Sequence, residues 1–385
     1  MLSLFFQYIK ERFFGNKNRA NALLGFVKPP AENGKVIWLV AHKSRYSVLL
    51  AVTLLAAIRQ KRKDVRLVLT YQSEYPDLIV EHLSGLKKIG FGYSCADHPL
   101  AVRRMYLNLS PYAVIHIAHE PHKSHLETLK QLNAGNLIAY QFPTYAQIGN
   151  GFRYSACYPV EEKPGQTEDD NCDEISPAFN VLSRLVHTNI DKQLSSLLCG
   201  SRFKGLFHIH NSINDHDLIP LWRDNVVAKD YLLVLSYDIV VQDQLAQLLT
   251  SIESAGLRPV LLSKWDKNVV SEDSVIVADD SKWFVALCAS SISTHMMETE
   301  QIQVWQSLAV GSSVSRAEQI KLPMSFENVV PEITSYPMLL EYWQKLDESS
   351  AVQRKTNDEL RKVFWSARRL AEEQSNHLLN RVYDL

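Results

Sequence analysis

The stretch 274–312, SVIVADDSKWFVALCASSISTHMMETEQIQVWQSLAVGS, decides how this chain of 385 residues is read. The apolar strand SVIVA leads into a helix, a weak strand over 290–293, a polar loop, and a second helix that Gly311 stops. An open α/β sheet presents ligands with such a loop and helix start, because the free N–H groups and the helix dipole favour anions. The chemistry is expected in that loop.

Working outward, 46% hydrophobic and 22% charged residues suffice for two ordinary domains, each with its own core. A formal net charge of -1, without a long basic run, argues against a nucleic-acid partner. The five cysteines, Cys95, Cys157, Cys172, Cys199 and Cys288, are scattered and never form a CxxC pair. They indicate neither a disulfide framework nor a zinc site, and a reducing cytoplasm is expected. The longest apolar run, 48–58, is too short to cross a bilayer, and the start shows no cleavable signal sequence.

Residues 1–30 open on an amphipathic helix: Leu4, Phe5, Tyr8, Ile9 and Phe13 stand at helical spacing among Lys10, Arg12, Lys17 and Arg19. This helix can pack on its own domain or lie on an anionic membrane surface. The second option gives the expected location: cytoplasmic and peripheral, at the inner face of the plasma membrane. From 35 to 158, buried-strand patterns (35–41, 66–70, 113–118, 136–140) alternate with helical ones (47–59, 76–86, 99–109, 124–133). That alternation predicts a parallel sheet covered by helices on both faces. The tract 159–174 is acidic and broken by proline and glycine, so it reads as a linker or exposed loop. Residues 177–198 read as helical. A second alternating set fills 175–335, with strands over 205–210, 231–235, 258–262, 274–278 and 290–293 and a helix over 241–255. A helical tail, 336–385, closes the chain.

The expected fold class is therefore α/β, with two Rossmann-like domains facing across a cleft and a helical C-terminal tail. Neither half carries GxGxxG or GxxxxGK[ST], which removes support for dinucleotide dehydrogenases and P-loop phosphotransferases. The GT-B type of glycosyltransferase and its relatives remain.

The order of features resembles the 3-deoxy-manno-octulosonic acid (Kdo) transferases of lipopolysaccharide synthesis. The resemblance runs from the basic aromatic first helix and LGFV through KVIWLVAHKSRYSVLLAVTLLAAIRQ and AVIHIAHEPHKSHLETLKQLNAGNLIAYQFPT. It ends in SFENVVPEI and the late NHLLNRVYDL, and it is one of layout and hydrophobic pattern. It implies a CMP-linked donor of Kdo or a related acidic sugar, used as substrate without a cofactor or metal. The acceptor it implies is a glycolipid or cell-surface glycan. The chain departs from that family at the motif positions. Where such transferases end the loop after the first strand in a catalytic Glu, Tyr46 closes His42-Lys43-Ser44-Arg45-Tyr46. His119-Glu120-Pro121-His122 follows the third strand, and Gln306 stands where a Glu would meet the donor ribose.

The residues themselves suggest roles. Ser293, Thr294 and His295, just before a helix, can neutralise donor phosphate or simply cap that helix. Glu298, Glu300 or Gln306 can take ribose hydroxyls. Lys264 can reach a phosphate or sugar carboxylate, and Asp238 can orient the donor or cap the next helix. An inverting transfer needs a base on the first domain. Glu120 and His119, past the end of a strand, are the candidates, and a hydrogen-bonded loop cluster is the alternative. Lys43, Arg45, Tyr46 and His122 would bind an anionic acceptor, although solvated loop charge accounts for the lysine and arginine equally well. His208 and His210 read as structural. Besides a transferase, the chain is compatible with a non-catalytic or repurposed relative that binds a nucleotide, glycan or protein, and with a nucleotide-sugar epimerase of the same architecture.

Overall fold

The computed structural model describes residues 2–118, 123–142, 154–159, 172–177, 179–184, 186, 203–210, 215–236, 242–264, 270–278, 284–295, 301–318, 320, 322, 326, 329–348 and 350–383. The chain divides into two compact units, Met1–Arg184 with Arg369–Leu385, and Leu185–Arg368. The sequence reading placed the start of the second domain at 175.

In unit 1, α1 (Leu2–Phe14) and α2 (Lys17–Leu23) precede β1 (Val36–Ala41), α3 (Arg45–Lys61), β2 (Arg66–Tyr71), α4 (Pro76–Leu83) and β3 (Ile89–Tyr93). Then come α5 (Pro99–Leu109), β4 (Pro111–Ile117), α6 (Lys123–Gln131), β5 (Leu137–Phe142) and β6 (Ala156–Pro159). The strands form one parallel six-stranded sheet in the order β3-β2-β1-β4-β5-β6. A sheet with helices on both faces needs strands that are apolar on both sides, and every residue of VIWLVA in β1 is buried. Trp38 meets its one polar demand by donating to Thr70 Oγ1 at 2.9 Å. The helix after β1 starts earlier than 47. Ser44 caps it by accepting from Ser47 N at 3.2 Å, so Arg45 and Tyr46 belong to its first turn.

Beyond β6 the expected helix over 177–198 is corrected in part: Val181–Arg184 is a short 3-10 turn, and 187–200 lies outside the described residues. The cysteine reading is also corrected. Cys157 and Cys172 are joined as a disulfide, because parallel bridges Tyr154↔Cys172 and Cys157↔Ile175 lay the returning chain along β6. Both ends of the acidic tract thus belong to unit 1.

In unit 2 the chain runs β7 (Gly205–His210), α7 (Asp215–Arg223), β8 (Tyr231–Ser236), α8 (Gln242–Ser254), β9 (Arg258–Leu261) and β10 (Ser274–Ala278). It continues through α9 (Phe284–Ser290), β11 (Ser291–His295), α10 (Gln301–Val310), β12 (Val314–Ala317), β13 (Glu332–Ile333) and α11 (Tyr336–Glu348). The sheet is again parallel, in the order β13-β12-β11-β7-β8-β10-β9. Strand alternation splits its core cleanly. Leu206, Leu232, Val234 and Ile276 pack on one face with Leu287. Phe207, Leu233, Leu235 and Val277 pack on the other, where Phe207 stacks on Trp343 of α11 at 4.3 Å.

The closing helix α12 (Ser350–Tyr383) gives its first part to unit 2 and the remainder to unit 1. In unit 2, Ser313 Oγ donates to Asn357 Oδ1 at 2.6 Å, and Arg361 covers Gly311. In unit 1, Arg381 pairs with Glu174 at 2.9 Å and donates to Ser155 O at 3.1 Å. Gly311 ends α10 with φ +77, and a Cβ there would stand 2.0 Å from Arg361 Nε.

Gly311→Ala should therefore lower stability by about 1–2 kcal/mol from the left-handed backbone alone, with the Arg361 clash adding to it, read as a lower urea midpoint. Reducing the Cys157–Cys172 bond, whose cysteines are 15 residues apart, should cost about 3 kcal/mol. A Cys157→Ala/Cys172→Ala variant should show no response to reductant.

Candidate functional site

Each sheet starts from a central strand on both sides of which later strands are added. In unit 1 the chain winds out through β2 and β3 and returns on the other side of β1 as β4. In unit 2 it winds out through β8 to the edge strand β9, turns back as β10 between them, and crosses to the other side of β7 as β11. Loops leaving the carboxyl ends at such a reversal diverge to opposite faces and leave a crevice, where ligands of open α/β sheets bind. The β1/β4 and β7/β11 edges are therefore the places to look.

At the β1/β4 edge, His42 N donates to Ser47 Oγ at 2.8 Å, and Ser47 Oγ donates to Ile117 O at 2.7 Å. One buried hydroxyl thus staples the two strand exits together. The next residue, Ala118, has φ +45, a left-handed conformation that costs a non-glycine residue about 1–2 kcal/mol. It turns the chain at the threshold of His119. Arg45 pairs with Asp77 of α4 and lies 5.6 Å from the centre of the Tyr75 ring, whose hydroxyl donates to Lys43 O at 2.9 Å. The Arg45 hydrogen bond holds the Asp77 carboxyl below the usual carboxylate range. Lys43 is exposed. The Tyr46 hydroxyl accepts from Asn180 Nδ2 at 3.2 Å, and burial pushes its pKa up. A neutral phenol held by an amide does not replace a catalytic carboxylate.

At the β7/β11 edge the strands end in hydroxyls and imidazoles rather than aliphatic side chains. Ser293, Thr294 and His295 are each 0% exposed, in a strand that runs on to His295. The expected strand over 290–293 runs on through Thr294 and His295, which corrects the polar loop expected there: all three residues are paired with β7 and β12. Their side chains bond to neighbouring strands and, for His295, to α10. His208 Nε2 lies 2.5 Å from Ser236 Oγ of β8, and its Nδ1 lies 3.4 Å from Ser293 Oγ. Thr294 Oγ1 lies 2.8 Å from Ser315 Oγ of β12. His295 Nε2 meets Ser307 Oγ of α10 at 2.9 Å, and Ser307 Oγ donates to Cys288 Sγ at 3.0 Å. Burial pushes the Cys288 thiol up to about 12, so it stays protonated and is no nucleophile at neutral pH. Phe284, at the start of α9, sets its ring 6.0 Å from His208 and 6.3 Å from His295.

The structure thus brings Ser293, Thr294 and His295 to one edge, with Gln306 nearby on α10 but 5% exposed. Lys43, Arg45 and Tyr46 gather at the edge of the other unit. Asp238, Glu298, Glu300, His119, Glu120 and His122 lie outside the described residues, and of Lys264 only the backbone is described, in a 3-10 turn. The sequence reading missed Asn180, Asp77, Ser236, Ser307 and Cys288, all partners distant in the chain. His208, expected as structural, is buried between Ser236 and Ser293.

No protein-family model matches the chain, and no curated protein matches it. Solved structures do. A glycosyltransferase from Rickettsia africae ESF-5 has a TM-score of 0.56 at 12% identity, covering 91% of this chain and 97% of that one. A UDP-glucosyltransferase from Polygonum tinctorium, capable of glucosylating indoxyl and complexed with 3,4-dichloroaniline, scores 0.55 at 8% identity over 90% and 99%. The UDP-GlcNAc 2-epimerase of Neisseria meningitidis, bound to UDP-GlcNAc, scores 0.50 at 10% identity over 86% and 99%. At these identities the likeness is one of fold: two Rossmann-like domains of the GT-B kind, found in transferases and epimerases alike.

Burial, and then the Lys43 charge, hold the His42 pKa below 6.5. The unfolded chain binds that proton more readily, so the stability present above pH 6.5 should be lost as pH falls below it. In His42→Gln this part of the stability curve should flatten, as measured by urea midpoints across the acid range.

Proposed function

We propose that the chain is a glycosyltransferase that takes a sugar from a nucleotide donor seated at the β7/β11 edge. The observation that carries this reading is the switch from aliphatic to hydroxyl and imidazole side chains beside β7 in the second sheet, in the strand that precedes α10 in the chain. A helix start at a sheet reversal suits a pyrophosphate or phosphate group. Glu298 and Glu300, between β11 and α10 in sequence, are the proposed ribose contacts, with Lys264 and Asp238 as further donor contacts after β9 and β8. Gln306 is set aside because its amide is buried.

On the first unit, the β1/β4 edge is the proposed acceptor side. Lys43 and Arg45 supply positive charge there, and Glu120, with His119 beside it, follows the left-handed Ala118 as the proposed base. His122 would be a further acceptor contact. In its finer form the proposal takes Kdo or a related acidic sugar from a CMP donor and places it on a glycolipid of lipopolysaccharide type. Support for that form comes from the resemblance in sequence layout. The Neisseria meningitidis epimerase is bound to UDP-GlcNAc instead, so the nucleotide is the first thing to determine. One observation favours a second reading, a binding relative without transferase activity: Tyr46, at the position of the family's Glu, is engaged by Asn180.

Thermal-shift measurements with CMP, UDP, GDP and their sugars test the proposal, since a ligand of the native state must raise its apparent stability. One nucleotide should raise the midpoint, and silence across the panel would overturn the reading. Glu120→Gln should keep that shift and slow transfer by about 100-fold or more, as removal of a general base does. A shift without any transfer supports the binding relative, and an altered free nucleotide sugar indicates an epimerase.

A further inference from the structure

We infer that unit 1 docks on an anionic lipid bilayer through two helices together, α1 and α5, with Phe26 between them. On α1, Phe6, Lys10, Phe13 and Phe14 stand at i, i+4, i+7 and i+8 and therefore share a face. The three rings are 66%, 74% and 88% exposed, and Lys10 is exposed among them. Single exposed apolar residues are ordinary on a protein surface; three phenylalanines on one helical face are not.

The same pattern recurs on α5. Ala101, Val102, Met105 and Leu109 turn into the core, which leaves Leu100, Arg103, Arg104 and Leu107 on the outer face. Again the apolar positions bracket basic ones. The segment leaving α2 connects the two helices. Gly25, with φ +81, lies so close to α5 that a Cβ would stand 2.3 Å from Ala101 O. Asn108 Nδ2 donates to Gly25 O at 3.0 Å, and Arg104 donates to Leu24 O at 3.1 Å. The Arg104 guanidinium also lies 4.6 Å from the centre of the Phe26 ring, which is 53% exposed. At the other end α1 is tied to α2 by the Glu11–Arg19 pair at 3.5 Å. Glu11, the acidic residue of α1, is thereby met by a cation, and α5 contains no acidic residue.

Charge selects the occupant. A protein partner would have to bury lysine and arginine heads interleaved with the rings, and lysine in particular is depleted from such interfaces. A headgroup layer accepts aromatic rings and basic ends at one depth and supplies the opposite charge. No described helix is long and apolar enough to cross a membrane, and α1, at 13 residues, would lie in the interface. The inference stands apart from the transfer reaction, because vesicle binding requires no donor.

Cosedimentation of the full chain with vesicles tests it. Binding to equimolar phosphatidylglycerol and phosphatidylcholine should exceed binding to pure phosphatidylcholine about tenfold or more and weaken with salt. Phe6→Ala/Phe13→Ala should reduce the partition about tenfold, and Arg103→Glu/Leu107→Ala on α5 should reduce it by a similar factor. All four positions are on the outer faces, and unchanged circular dichroism and thermal midpoints would verify folding. Equal binding to both vesicle types would overturn the inference. So would an α5 variant that partitions like the parent, because α1 would then act alone. A dimer in size-exclusion chromatography that Phe6→Ala/Phe13→Ala dissolves would assign the face to a second copy instead. If a double variant fails to fold, Lys10→Glu and Arg103→Glu, tested singly, carry the same decision.

Discussion

Parallel pairing is the constraint on which the rest of the structure depends. A parallel strand cannot be reached by a hairpin, so each return crosses a face of the sheet, and helices cover both sides. The strands must then be apolar on both sides, as β1 is. The polar residues of each crossover collect at the strand ends. Where the winding reverses, beside β1 and β7, those ends separate and leave room. The staple from Ser47 to Ile117 and the hydroxyl–imidazole chain from Ser236 to Ser293 both stand at these reversals. Topology places them there, and their side chains set the local chemistry.

The second unit shows how burial and polarity are reconciled. Buried hydroxyls and imidazoles without partners would each cost about 1–3 kcal/mol, which a marginally stable domain does not tolerate in number. Here the partners come from neighbouring strands at matched register: Ser293 opposite His208, Thr294 opposite Ser315. The interior of the sheet can therefore turn polar toward its carboxyl edge without losing its pairing. The hydroxyls and imidazoles are held in place by these hydrogen bonds, with the Phe284 ring beside His208 and His295.

Much of this was legible in the sequence and some was not. Continuous aliphatic runs such as VIWLVA and SVIVA announce central strands, and Gly311 marks the end of α10 because a left-handed residue closes a helix there. The edge strand β3, IGFGY, escaped notice since two glycines and half-burial erase any alternation. The strand β12, VSRA, looks like a loop until β11 and β13 flank it. Thr294 and His295 look like a loop for the same reason: polar residues in a buried strand depend on partners that only the folded sheet supplies. Asn180 beside Tyr46, and Cys172 beside Cys157, meet through chain returns that no local pattern encodes.

The left-handed residues are distributed unevenly. Ala118 closes β4, and Gln141, with φ +53, lies within β5 beside the bulge before Phe142, both at the carboxyl edge of the first sheet. Among the described residues of unit 2, the left-handed positions are Gly256 and Gly311, where glycine adopts such angles freely. Backbone exits in the first unit are held under steric load by their surroundings, so replacements there must satisfy both the strain and whatever the strain positions. In the second unit the described left-handed residues stand instead where α8 and α10 end, on the way into β9 and β12, and there exchange of the glycine alone would introduce the strain.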